Sequence, residues 1–211
     1  MPLALVATFG CHCGTETTVA RDAWAAHTDR VATPILFLTV GLPGVGKTTA
    51  AKHIAEERWI LRLTPDEWMA PLFGESDADG RRDILEGRMI WTALQVLASG
   101  SSVVLDFGCW SAEERYAIRY LTEAAGGDFQ LVLVEADEQE RRRRADQRWA
   151  EAPHTTFPMT DADHGRFLAG YQLPSSAELA GGPIPSPPDG SDDWPQWASG
   201  RWPTLPLTRS W

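Results

Sequence analysis

Residues 35–57 constrain the fold more than any other stretch. They read ILFLTV, then GLPGVGKTT, then AAKHIAEE. An apolar, β-branched run leads into a glycine-rich turn. Ala50, Ala51, Ile54 and Ala55 then recur at helical spacing, with Lys52, Glu56 and Glu57 between them. Gly41, Gly46, Lys47 and Thr48 fit the pattern G-x-x-x-x-G-K-[ST]. The strand before it and the helix after it supply the context that pattern requires. Glycines let the backbone bend closely around a polyphosphate. Loop N–H groups and the positive end of the following helix then meet anionic oxygens. Gly41, Leu42, Pro43, Gly44, Val45, Gly46, Lys47, Thr48 and Thr49 form the expected nucleotide-binding loop. Within it Lys47 is placed to reach the β- and γ-phosphates, and the Thr48 hydroxyl to ligate Mg²⁺. The expected cofactors are ATP and Mg²⁺. The fate of the γ-phosphate is not set by this stretch.

A chain of 211 residues suits one α/β domain with a full core and some extra sequence at each end. No apolar run approaches the roughly 20 residues of a membrane span. The opening LALVA has no basic region before it and is not read as a signal peptide. The net charge of −10 weighs against a nucleic-acid substrate, because phosphate backbones reward basic surfaces. Cys11, Cys13 and Cys109 make an odd count without a disulfide framework, so a reduced, cytoplasmic protein is expected. Cys11-His12-Cys13 raises a zinc site. Without a matching second ligand pair, an ordinary loop is the other reading.

Residues 19–28 suit a short helix with Trp24 and Ala25 inward. After the first strand and helix, residues 59–63 (WILRL) read as a second strand. It runs into Thr64-Pro65-Asp66-Glu67, a helix start with Thr64 as N-cap, Pro65 at the first helical position and Glu67 completing a capping box. Asp66 has two readings. It suits the helix dipole. It also lies at the carboxyl end of a strand beside the first, where α/β sheets bind ligands, and can there orient or deprotonate an acceptor hydroxyl. Residues 72–82 read as an exposed loop. Residues 83–99 read as a helix with Ile84, Met89, Ile90, Ala93, Leu94 and Leu97 as its apolar set. A solvated face is expected for each of Arg81, Arg82 and Arg88, with an anionic substrate as the alternative.

The third strand, 102–105, closes with Asp106. An apolar strand ending in Asp resembles a Walker B element holding the Mg²⁺ shell; substrate contact and a loop cap are its rivals. Phe107, Cys109 and Trp110 suit either an acceptor-pocket wall or the core. Ser111 and Glu114 form a capping box for a helix to residue 125, and 129–134 is a further strand. The next helix carries Arg141 to Arg144 in a row, then Arg148. Arg141, Arg144 and Arg148 fall on one stripe. Either they form a lid that clamps phosphates bidentately, or they are a solvated face paired with Glu138, Glu140 and Asp146. A short helix near 160 carries Phe167, Leu168 and Tyr171. From Pro174 the composition turns to Pro, Gly, Ser and Asp with Trp194, Trp197, Trp202 and Trp211. Such a segment builds no core of its own. It is expected to wrap back onto the domain, or onto a partner subunit in a homodimer.

GLPGVGKTT, the LTPDEW after the second strand, VVLDFGCWS and the Arg-rich helix together resemble the small P-loop kinases related to chloramphenicol phosphotransferase and the zeta toxins. The resemblance spans about residues 35–179. It implies a three-layer α/β P-loop kinase fold with a mainly parallel five-stranded sheet in the order 2-3-1-4-5. The kinase domain would occupy 34–180 with a lid helix near 138–150, flanked by an extension at 1–33 and a Pro/Trp-rich tail at 181–211. It further implies transfer of the ATP γ-phosphoryl group to a hydroxyl of a small molecule: an antibiotic, a nucleoside-like natural product or a sugar nucleotide. Asp66 matches the residue that serves the acceptor hydroxyl, and Arg144 and Arg148 match the lid arginines. Arg148-Trp149 stands where these relatives often show Arg-Asn. The rival readings are a polynucleotide 5′-kinase, a nucleotide-dependent switch or ATPase that releases no phosphorylated product, and a nucleotide-binding module without catalysis.

Overall fold

A computed structural model describes residues 32–74, 79–151 and 158–206. The expected helix at 19–28, the Cys11-His12-Cys13 group and Trp211 lie outside the described residues. The centre is a parallel sheet of β1 (Ile35–Val40), β2 (Leu61–Leu63), β3 (Val103–Leu105) and β4 (Asp128–Leu133), in the order β2-β3-β1-β4. β1 is the axis. It pairs with β3 from Leu36↔Val103 and with β4 along its whole length, from Ile35↔Asp128 to Val40↔Leu133.

A parallel sheet needs cover on both faces, and alternate side chains of β1 show it. Leu36, Leu38 and Val40 join the larger core with α3 (Arg81–Ala98) and α4 (Ala112–Ala124). Phe37 turns to the other face and meets Ala51 of α1 (Lys47–Arg58) and Val104 of β3. The remaining helices are α2 (Pro65–Phe73), α5 (Glu138–Glu151), α6 (Asp161–Gly170), α7 (Ser176–Leu179) and α8 (Trp194–Arg201).

Several expectations are corrected. The sheet has four strands among the described residues, not five. The described segment beyond α5 is short helices and Pro-rich connections, with Pro174, Pro183, Pro185, Pro187 and Pro188 close together. Proline donates nothing to a ladder, so such a segment cannot extend a sheet. The second strand starts at Leu61, because Trp59 is consumed in closing α1. It takes a left-handed conformation (φ 56°) and its N–H bonds the carbonyl of Ala55. The expected loop at 72–82 is shorter at both ends, since α2 reaches Phe73 and α3 starts at Arg81. Glu67, expected in a capping box, turns its carboxylate to Arg62. The capping box of Ser111 and Glu114 is present at the start of α4.

The segment after α6 is tied to the domain by polar and aromatic contacts. Arg115 of α4 and Glu178 of α7 form a two-pronged ion pair at 2.5 and 3.0 Å, with both side chains almost fully buried. Trp194, Trp197 and Trp202 meet edge to face at 5.8 and 6.0 Å. Trp194 and Trp202 belong to the main core. Residues 204–205 press so close to α3 that a Cβ on Gly87 would lie 2.6 Å from Thr204 Oγ1 and 3.1 Å from Leu205 N. Trp202, at 0% exposure, is the largest fully buried side chain. Trp202→Ala is therefore expected to cost about 3–5 kcal/mol of stability, as large-to-small changes of buried aromatics do. Urea denaturation checks this, and an unchanged midpoint would show that the tail is not part of the cooperative core.

Candidate active site

The loop from Gly41 to Gly46 joins β1 to α1 at the carboxyl edge of the sheet. Gly44 and Gly46 hold positive φ angles of 87° and 107°. At Gly44 space is decisive as well as φ, because a Cβ there would sit 2.3 Å from the carbonyl oxygen of Arg141. α1 begins with no side-chain cap and no acidic residue in its first turn, so its N-terminal N–H groups have no built-in anion. Lys47 folds back under the loop and donates from Nζ to the Leu42 carbonyl at 3.1 Å. Burial pulls its amine down to about 8, against the attraction of Asp106 and Asp66. These observations fit a polyphosphate: a buried cation with only a neutral hydrogen-bond partner, an open helix N-terminus and a backbone free of side chains at its closest approach.

Asp106 follows β3 and is buried. It accepts from Arg62 Nη1 at 2.9 Å and from Thr39 Oγ1 at 3.1 Å. Burial pushes its carboxyl up, and Arg62, Thr48, Thr39 and Lys47 act against that shift. Thr48 and Asp106 line one cleft and offer the oxygen donors that a hard divalent cation takes. Among the described residues no group of three or more His, Cys, Asp or Glu side chains could hold a metal. An ion at Thr48 and Asp106 would take its other ligands from phosphate and water, the usual habit of Mg²⁺.

The cleft encloses about 590 Å³ and runs from Lys47 past Asp66 to an aromatic end at Trp110 and Phe167. Asp66, in the first turn of α2, keeps 57% of its side chain exposed and accepts from Arg82 Nη1 at 2.9 Å. Arg82 is thus not the solvated residue expected. It bridges Asp66 to Glu86, to which its Nε donates at 3.0 Å, and it lines the cleft. Arg81 and Arg88 lie over the rings of Phe73 and Trp91.

The arginine stripe of α5 divides. Arg144 and Arg148 line the cleft, and Arg144 donates from Nη1 to the Val45 carbonyl at 3.0 Å. Arg141 turns inward and is buried, with Nη1 2.8 Å from His164 Nδ1 of α6. Burial and the nearby arginines hold His164 below its usual range, so its ring is read as neutral. Arg142 pairs with Glu138 and Asp161, and Arg143 and Arg144 both pair with Glu140, so the paired-face reading holds in part for Arg144 as well. The three residues share one helical face, but the packing of Arg141 against the Gly44 turn takes it out of the cleft.

Phe107 and Cys109 belong both to the core and to the cleft lining. Cys109 holds a positive φ of 34°, the bend after which Trp110 enters the cleft wall. Trp110 meets Phe167 edge to face at 4.8 Å. Glu86, Glu114, Phe167 and Arg201 also line this end and were not singled out as site residues from the sequence. One signal was available. Glu86 interrupts the apolar stripe of α3 between Leu85 and Met89. A carboxylate on a core-facing stripe needs a partner, and burial raises its carboxyl despite Arg82, Trp202 and Arg201.

Residues 36–174 match the family model described as an AAA domain. The chain belongs to this AAA domain family. No curated protein matches it. Among solved structures, the AAA domain is similar to a chain of the Pnkp1/Rnl/Hen1 RNA repair complex at 18% identity and TM-score 0.56. That match covers 65% of this chain and 44% of the other. It is also similar to Mycobacterium tuberculosis APS kinase CysC in complex with AMPPNP and APS, at 20% identity and TM-score 0.52, over 68% and 85% of the two chains. A third is Chaetomium thermophilum Kti12 in complex with ADP-AlF3, at 16% identity and TM-score 0.52, over 67% and 82%. Likeness at such identities speaks to the fold, an α/β P-loop NTPase fold with a parallel sheet. Among the described residues no helix is long and apolar enough to cross a membrane.

The Lys47 amine sets a pH dependence. In the free protein it titrates at about 8. Phosphate beside it favours the charged form and raises that value in the complex. Below the free value both states are protonated and affinity is flat. Above it, binding requires proton uptake, so affinity falls by up to about tenfold per pH unit. Titration calorimetry with a non-hydrolysable ATP analogue between about pH 7.5 and 9.5 checks this. A flat profile would show that Lys47 does not meet the phosphates.

Proposed function

We propose that the chain is an ATP- and Mg²⁺-dependent kinase that transfers the γ-phosphoryl group to a hydroxyl of a small molecule. The observation that carries this reading is the continuity of one cleft. Lys47, Arg144 and Arg148 line it together with Asp66, which the ion pairs Asp66–Arg82–Glu86 connect to a chamber lined by Glu86, Glu114, Trp110 and Phe167. A simple hydrolase needs only the phosphate-binding residues; the chamber is room for an acceptor.

The residues divide the work by position. The loop from Gly41 to Thr49 cradles the phosphates with backbone N–H groups, and Lys47 lies against their oxygens. Thr48 and Asp106 would hold Mg²⁺, which when bound neutralises charge on the phosphate oxygens. Asp66 accepts the acceptor hydroxyl's hydrogen bond and takes its proton as the oxygen attacks the γ-phosphorus. The bond from phosphorus to the bridging oxygen breaks as the new bond forms, ADP leaves, and the proton passes from Asp66 to water. Its tie to Arg82 at 2.9 Å fixes the carboxylate's direction. Arg144 and Arg148 stabilise the charge on the transferring group. The resemblance to the small P-loop kinases related to chloramphenicol phosphotransferase and the zeta toxins supports an antibiotic, a nucleoside-like natural product or a sugar nucleotide as acceptor. The net charge of −10 disfavours a nucleic-acid strand.

Asp66→Asn keeps the shape and removes the base. It is expected to leave nucleotide affinity unchanged and to slow transfer at least about a hundredfold. Calorimetry and mass-detected product formation check the two halves. Near-normal transfer would remove Asp66 from the mechanism. ATP hydrolysis without a phosphorylated product, across hydroxylated antibiotics, nucleosides and sugars, would favour the switch reading.

A further inference from the structure

The chamber beyond Asp66 is closed by a part of the chain outside the family match. That match ends at residue 174. Arg201, the last residue of α8, nevertheless lines the cleft. Its guanidinium binds three carboxylates from two helices: Asp83 of α3 at 2.6 Å, Glu114 of α4 at 2.8 Å and Glu86 of α3 at 3.9 Å. The next residue, Trp202, donates from Nε1 to Glu86 at 3.2 Å. The tail thus anchors itself beneath two glutamates and sets the direction in which they face the cleft.

The chemistry of this end is distinctive. Glu86 accepts from Arg82 at Oε1 and from Trp202 at Oε2, and Glu114 accepts from Arg201 at Oε1 and from the Ser111 N–H at Oε2, so a ligand hydroxyl would donate to the second lone pair of one of these oxygens. The rings of Trp110 and Phe167 line the same cleft. Around the chamber Asp66, Glu86 and Glu114 outnumber Arg82 and Arg201, three carboxylates to two guanidinium groups, while Asp83 binds Arg201 from outside the lining. Both guanidinium groups are already bound by those carboxylates. An anionic acceptor would meet surplus negative charge and no free cation here. Hydroxyl donors would meet acceptor lone pairs, and a flat ring would meet an aromatic wall.

Building on the kinase reading, we infer that Glu86 and Glu114 bind the acceptor's hydroxyl groups, and that Arg201 is the positioning residue that aims them. The acceptor is an uncharged compound joining hydroxyl groups to a flat ring that lies against Trp110 and Phe167. The C-terminal tail is therefore part of the acceptor site, and it sets specificity at a distance from the phosphates.

The test uses the full chain with ATP, Mg²⁺ and paired acceptors: nucleosides and aryl glycosides, each with its phosphate monoester. Product is detected by mass. The wild type is expected to phosphorylate uncharged ring-bearing members and to pass over their monoesters. Arg201→Gln should raise the acceptor KM about tenfold or more, the scale of a lost charge-assisted hydrogen bond. Its kcat and its affinity for a non-hydrolysable ATP analogue should stay within twofold, and Arg201→Lys should recover part of the loss. An unchanged acceptor KM in Arg201→Gln, or a preference for monoesters, overturns the inference. A parallel fall in kcat and nucleotide affinity marks Arg201 as merely structural and also overturns it. Should Arg201→Gln fail to fold, Phe167→Ala in the same cleft must show the same rise in KM, and a normal KM there overturns the inference. If the wild type yields no product from any member, the kinase reading has failed separately. Saturation-transfer NMR on the analogue-bound protein then decides. Binding of the uncharged compounds that is lost in Arg201→Gln upholds the chamber assignment, and absent or unselective binding rejects it.

Discussion

The whole site depends on one close approach, that of the α5 backbone to the glycine loop. The carbonyl oxygen of Arg141 occupies the space a Cβ on Gly44 would need. That contact fixes the helix in rotation and in height. With Arg141 held there, its side chain turns into the protein toward His164, and α6 is tied to α5 through a buried contact. One turn further on, Arg144 lies over the loop and bonds the Val45 carbonyl. A second turn brings Arg148 to the cleft. Gly44 therefore does two things. It frees backbone N–H groups for anions, and it is the socket in which the arginine-bearing helix is seated. A side chain at this position would displace α5 as well as the loop, so the shape of the loop and the placement of Arg144 and Arg148 are coupled through a single glycine.

The electrostatics of the cleft follow from which charges have partners. At the glycine-loop end, Lys47 bonds only a backbone carbonyl among the described residues, and the start of α1 carries no acidic side chain. Positive potential is left unspent there. At the other end every guanidinium is bound, Arg82 by Asp66 and Glu86, Arg201 by Asp83 and Glu114. The gradient runs from an unpaired cation to a surplus of carboxylates within a single cleft. Polyphosphate has one favourable end to enter. Asp66 stands at the crossing, where in the proposed kinase reaction a carboxylate would take a proton without competing for the phosphate oxygens.

Local features of the site were legible in the sequence and long-range ones were not. The glycine loop is fixed by residues within nine positions of one another, and its strand and helix stand as read. The parallel order β2-β3-β1-β4 follows the implied order as far as it goes. The expected fifth strand has no counterpart among the described residues, where the chain beyond α5 is rich in proline. The fates of Arg82 and Arg141 depended on distant partners. Arg82 meets Asp66 sixteen residues away, and Arg141 meets His164 across a helix boundary. Helical spacing tells which residues share a face. It does not tell which way a long side chain turns at the edge of that face.

The tryptophans of the tail teach a related point. Their number argued for burial, since a solvated tail would gain nothing from them. What number alone could not supply was the polar consequence. Burying Trp202 brings its indole N–H to Glu86, and the same turn of chain delivers Arg201 to Glu86 and Glu114. A buried carboxylate on α3 is tolerable because Arg82 pairs with it from the same helix and the tail adds a donor and a second cation. Stability and chemistry are here one arrangement. The aromatic anchor that holds the tail on the core is adjacent in sequence to the guanidinium that shapes the cleft. Residues 201–202 thus act as a single latch: loosening the anchor would free Arg201 and leave Asp83 and Glu114 without their shared counter-charge and Glu86 with Arg82 alone.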